Sequence, residues 1–175
     1  MRTIESITKE ELTVLLNKCW MTHDGMWFFN CLREYGIEAA NKLNKSAIEF
    51  LAPLEVARLK KLFGAPEEFN SNFKEFKTFF NRIAKLFIPD FMGGEFKIND
   101  DHTMDMMMRP GECFAYKGIK RLGVIENYEC GVFFRIECWM RTLGLEFETD
   151  KPSLRCLFHH EGQCQKQLKF INFIE

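Results

Sequence analysis

Several things are scarce or missing in this 175-residue chain. It has no long block of one charge: 24 Lys and Arg are mixed with 25 Asp and Glu, for a net charge of −1. The electrostatic footprint of a nucleic-acid binder or an anionic-membrane binder is therefore lacking. No apolar run approaches the roughly 18 residues that a membrane span requires. The start, MRTIESITKEELTVLL, carries charges on both sides of a short apolar run, without the apolar core or small-residue cleavage site of a secretory leader. The expectation is a cytoplasmic protein with no nucleic-acid and no membrane partner. Standard catalytic signatures are missing too: no Gly-rich phosphate loop, Rossmann fingerprint, nucleophile elbow or His-Glu-x-x-His. The sequence leaves open whether the chain is an enzyme.

What is abundant is bulky and soft. The 19 Phe, 3 Trp and 9 Met point to a bulky core with room for a large apolar cavity, since Met fills irregular apolar space. A chain of this length buries about two-thirds of its unfolded surface, so it folds without disulfides. The 7 cysteines, an odd number, then read as buried thiols, metal ligands or reactive groups in a reducing compartment.

The first half reads as helix. Ser6 or Thr8 can cap it, with Glu10 and Glu11 in the first turn. Leu12, Leu15, Leu16, Cys19 and Trp20, then Trp27, Phe28, Cys31 and Leu32, follow at helical spacing, and Gly36 is placed to end the run. A second helix is expected over about 37–63, bent near Pro53, and a third over about 67–87, with Phe69, Phe73, Phe76, Phe80 and Ile83 on one face. The texture changes at Met92-Gly93-Gly94. Alternation in 95–98 and 103–109 around Asn99-Asp100-Asp101-His102 signals a hairpin. Helices are expected over about 111–122 and 130–143, then strands at 146–149, 154–158 and 165–173. Helices followed by an antiparallel sheet make an α+β fold, taken as a single domain with a helical part (1–90) and an α+β part (91–175).

The strongest chemical signal is a set of cysteines in the last third. Cys130 begins a helix, where the N-terminus favours thiolate. On this reading Cys156 lies on a strand and Cys164 opens the next one, so the turn between brings them together. Zinc prefers four tetrahedral ligands, and Cys113 would complete the set. Ordinary buried thiols are the competing explanation, and Cys19, Cys31 and Cys138 read as core.

Cys130, twenty-five intervening residues, Cys156, seven intervening residues and Cys164 resemble the zinc site of 4-vinyl reductase-type small-molecule-binding domains. The resemblance implies a zinc-holding domain over roughly the last 65 residues. Ser153 stands where that family has a liganding Glu, and His160 where it often has Gly. The fourth ligand is thus open among Cys113, His159, His160 and water. Over most of its length the chain also resembles an uncharacterised bacterial cytosolic family related to aminothiazoline-carboxylate hydrolase-like proteins, through Trp20-Met21-Thr22-His23-Asp24-Gly25-Met26-Trp27-Phe28.

That segment supplies a second candidate site. His23 and Asp24 interrupt an aromatic face formed by Trp20, Trp27, Phe28 and Phe29. The functional reading is a ligand pocket of Trp20, His23, Asp24 and Trp27, with His23 and Asp24 as candidate catalytic groups. The structural reading is a buried histidine beside a solvated aspartate. Two functions follow. One is a zinc-containing module that captures a small apolar or aromatic molecule. The alternative is a metal-assisted hydrolase or lyase acting on an amide-like or thiazoline-like molecule. Haem and iron–sulfur ligation rank below zinc for want of compact Cys-x-x-Cys spacing. A homodimer is the self-association left open.

Overall fold

The computed structural model describes residues 2–69, 72–152 and 154–173. Helix α1 runs over Lys9–Phe63. It starts at a capping box: the Glu11 amide donates to Thr8 Oγ1 (3.1 Å) and the Thr8 amide to Glu11 Oε2 (2.9 Å). The two helices expected before residue 63 are one kinked element. Gly36 (φ 82°, ψ 174°) breaks the helical conformation, and the chain then resumes it. Pro53 lies inside the helix without ending it. Gly64 closes α1 in the left-handed conformation.

Helix α2 covers Phe73–Phe87 and is capped by Asn72, whose Oδ1 accepts from the Glu75 amide at 3.1 Å. It begins later than the apolar spacing suggested, because Gly64, Ala65 and Pro66 bring Phe69 into the core ahead of the helix. Phe76, Phe79, Phe80 and Ile83 form its buried face.

The expected hairpin is present: β1 (Gly94–Ile98) pairs antiparallel with β2 (Thr103–Met108). Helices α3 (Phe114–Arg121) and α4 (Gly131–Thr142) follow, joined through a short helical turn at Ile125–Asn127. Strand β3 is Phe147–Thr149 and β4 is Cys164–Phe170. The sheet order is β1-β2-β4-β3, antiparallel throughout. The α+β architecture, with helices first and the sheet after, is therefore the one expected. The strand expected at 154–158 is a correction: Leu157–Glu161 is a short helix, α5, with Cys156 as its N-cap and Gly162 (φ 74°) ending it. Two adjacent histidines and a following left-handed glycine suit one helical turn better than a strand.

Period-2 burial governs the central strands. Met104, Met106 and Met108 face in from β2, and Cys164, Lys166, Leu168 and Phe170 from β4. The Phe and Met surplus fills this interior: Phe76 meets Phe170 (5.1 Å) and stacks with Phe173 (5.8 Å), while Phe80 meets Phe96 (6.3 Å). Helix α4 lies along α1. A Cβ at Gly131 would stand 2.8 Å from Asn44 Nδ2 and 3.1 Å from Ile48 Cδ1, so glycine permits this approach. Buried charges are paired: Arg135 and the Trp139 indole both bond Glu55, and Lys166 bonds Glu137. Among the described residues, no helix is long and apolar enough to cross a membrane.

Candidate metal centre

Three of the candidate cysteines occupy equivalent local positions. Cys113 is the N-cap of α3, Cys130 of α4 and Cys156 of α5. Cys164 opens β4 opposite Met108 of β2. These elements are distant in sequence but meet at one end of the sheet, and all four cysteines line a single cavity of about 10 Å³. Its remaining wall is largely apolar, including Met108, Val132, Phe133 and Phe158.

The electrostatics follow from that placement. Burial pushes the Cys130 thiol up to about 11, and the charges of Cys113 and Cys156 add to the rise. Burial raises Cys164 strongly, with Cys130, Cys113 and Cys156 contributing further. Cys113 and Cys156 are also raised, chiefly by burial. Helix amides work in the opposite direction. The Tyr116 N–H donates to Cys113 Sγ at 3.5 Å. The amides of Phe133 and Val132 favour the Cys130 thiolate, and those of His159 and Phe158 favour that of Cys156, although neither sulfur closes a cap hydrogen bond. Four thiols that resist ionisation alone, each of three facing a helix N-terminus, suit a cation that would neutralise them together.

Among the described residues, the group of His, Cys, Asp and Glu whose ligand atoms all lie within 4.8 Å of one another is Glu126, His159 and His160. The four sulfurs surround their cavity more widely than that. Buried contacts hold the surroundings: Tyr128 is buried, and its hydroxyl accepts the Gly131 N–H at 3.2 Å. Ser153, where the resembling family has its liganding Glu, lies outside the described residues. Of the cysteines read as core, Cys138 is buried, Cys31 half-buried and Cys19 exposed.

The second candidate site is different in kind. The expected pocket of Trp20, His23, Asp24 and Trp27 is an exposed face of α1. The His23 and Asp24 side chains are 67% and 53% exposed, with His23 Nδ1 3.6 Å from Asp24 Oδ1. The Trp27 indole donates to His23 Nε2 at 3.2 Å, and Trp27 is 63% exposed. Trp20 alone is drawn inward, edge-on to Phe87 and 4.0 Å from the Arg135 guanidinium. The aromatic spacing was compatible with an inward face, but α1 packs through Trp20 and Phe28 and leaves another of its faces uncovered. Leu12, Leu15, Leu16, Phe50 and Leu54 are exposed as well.

An open groove of about 850 Å³, lined mainly by polar and charged residues, runs beside α1, where Asn41, Lys42, Lys45 and Glu49 face Glu129 and Arg155. Buried Asn41 braces it, donating to the Asn127 carbonyl (2.7 Å) and accepting from the Glu129 amide (3.1 Å). Sequence reasoning missed this groove, since its walls lie far apart in the chain.

In fold, the chain is similar to a trafficking protein particle complex subunit 3 from Naegleria fowleri, whose crystal structure has it covalently bound to palmitic acid. The TM-score is 0.56 and the identity 12%, over 92% of this chain and 98% of that one. No curated protein matches. A family model does match, over residues 5–127, so that Cys113 and Glu126 lie inside the matched segment and Cys130, Cys156 and Cys164 beyond it. The chain belongs to that family, the family of unknown function DUF6125.

Proposed function

We propose that this chain is a non-catalytic binding module whose C-terminal half is fastened by one zinc ion on Cys113, Cys130, Cys156 and Cys164. The observation that carries this reading is the convergence of those four side chains, from three helix starts and one strand start, on one cavity. A volume of about 10 Å³ accommodates roughly one water or one ion and no organic ligand. With Zn–S bonds of about 2.3 Å, a tetrahedral site has sulfurs about 3.8 Å apart, so binding draws the four side chains inward. The spacing of Cys130, Cys156 and Cys164, like that of 4-vinyl reductase-type zinc sites, supports the same assignment.

A structural role fits better than hydrolysis. Four thiolates over-neutralise a divalent ion and leave a weak Lewis acid, and the cavity has no room for a substrate beside the metal. The apolar-ligand part of the reading rests on surface rather than interior. The Phe and Met side chains pack the core, whereas α1 exposes Met26, Trp27, Leu43 and Phe50 to an apolar or aromatic molecule. The fold neighbour's covalently bound palmitic acid is an apolar precedent in a similar architecture.

Elemental analysis of the purified, reduced protein tests the proposal. About one zinc per chain, lost in Cys130→Ser and Cys156→Ser, is the expected result. Metal-free protein that stays folded and shows no zinc uptake on titration overturns it.

A further inference from the structure

A second group of ligand-type side chains lies outside the thiol cavity. Glu126 stands on the helical turn Ile125–Asn127, and His159 and His160 form the last turn of α5. Their ligand atoms all lie within 4.8 Å of one another. His159 Nε2 is 2.7 Å from Glu126 Oε2, and the two imidazoles meet edge to face with ring centres 4.9 Å apart. Successive helix residues ordinarily diverge by about 100°, so two adjacent histidines converging on one carboxylate is not what the helix alone would produce.

Both supports are anchored. The Glu126 turn is held from beneath by Asn41, through the Asn127 carbonyl and the Glu129 amide. Helix α5 is fixed at its start by buried Cys156 and by Phe158, whose ring packs 5.5 Å from Tyr116.

We propose that Glu126, His159 and His160 form a solvent-facing, exchangeable site for a divalent transition metal of the kind that imidazole favours, zinc, nickel or copper. Two ligands about 2.1 Å from one ion at a tetrahedral angle stand about 3.4 Å apart, so a small outward movement of the paired His159 and Glu126 admits the ion. Two histidines and one carboxylate leave the remaining coordination positions to water. A metal bound there would tie α5 to the connection between α3 and α4. The site does not depend on the cysteines holding zinc.

Calorimetric titration of the full reduced chain, as purified, with Ni²⁺ tests this, with circular dichroism confirming that each variant is folded. The expected result is one Ni²⁺ per chain whose affinity falls at least about tenfold in each of Glu126→Gln, His159→Ala and His160→Ala, while His23→Ala binds as the parent does. These variants retain all seven cysteines, and zinc content measured beside each titration separates a loss at Glu126, His159 and His160 from a change in the thiol cavity. Equal affinity in the parent and the three variants, an equal loss in His23→Ala, or no Ni²⁺ uptake overturns the proposal.

Discussion

The Trp139 indole N–H donates to Glu55 Oε2 at 2.8 Å, inside the α1–α4 interface. The same carboxylate accepts from Arg135 Nε at 3.1 Å and from its terminal nitrogen, and the Arg135 guanidinium lies against the Trp20 ring. A nearly enclosed carboxylate is thus satisfied from two directions, and it holds the second half of α1 to α4. Removing it leaves a largely desolvated guanidinium and an indole donor without partners. We predict that Glu55→Ala costs about 3–5 kcal/mol of unfolding free energy, read from urea denaturation. A loss below about 1 kcal/mol would show that water reaches Arg135.

The thiol cavity predicts a pattern rather than one number. Cys113→Ser, Cys130→Ser, Cys156→Ser and Cys164→Ser should each lower zinc content and thermal midpoint together, because a structural ion contributes its binding energy to folding. Cys19→Ser, at an exposed position on α1, should change neither. Chelator treatment of the parent should reproduce the destabilisation of the cavity variants.

Gly93 predicts a backbone effect. It has φ 69°, and an added Cβ would stand 2.4 Å from the Glu112 Cβ, while its carbonyl accepts the Arg109 amide at 2.7 Å. Gly93→Ala should cost about 2 kcal/mol or more from the left-handed conformation and the collision together. Gly25→Ala meets nothing within 4 Å in the middle of a helix, so it should stabilise by up to about 1 kcal/mol. Paired thermal melts of the two variants separate the cases.

Asp105 predicts a pH dependence. Its carboxylate accepts from Gln167 Nε2 (2.7 Å) and Asn99 Nδ2 (2.8 Å), and these bonds hold its pKa below the ordinary aspartate value. A depressed folded-state pKa contributes stability above the unfolded value and loses it as pH falls through the folded one. Asp105→Asn should therefore be less stable than the parent near neutrality, and the gap should narrow below about pH 4. Urea midpoints measured from pH 7 to pH 3 read this directly.

Much of the architecture was legible locally. The capping box of Thr8 and Glu11, the stop at Gly64 and the alternation of Met104, Met106 and Met108 are all written in neighbouring residues. The segment around Cys156 was not. Leu154 to Phe158 has a strand-like composition, yet the chain turns helical at Leu157, in a helix ended by left-handed Gly162. The aromatic run of α1 misled in another way. Its period is genuinely helical, but nothing in that period states which face of a 55-residue helix the remaining fold covers.

The sequence by itself determined most of the element types, the order of helices before sheet, and the four cysteines as the chemical signal of the last third. These depend on short-range spacing, caps and turns, which act within a few residues. Only the tertiary structure decided that those cysteines share one small cavity, that His23 and Asp24 face solvent, and that Glu126 meets His159 and His160. Each of those relationships joins side chains from separate elements or depends on which surfaces pack. They follow from how α1, α4 and the sheet bury their faces against one another, which no local pattern encodes.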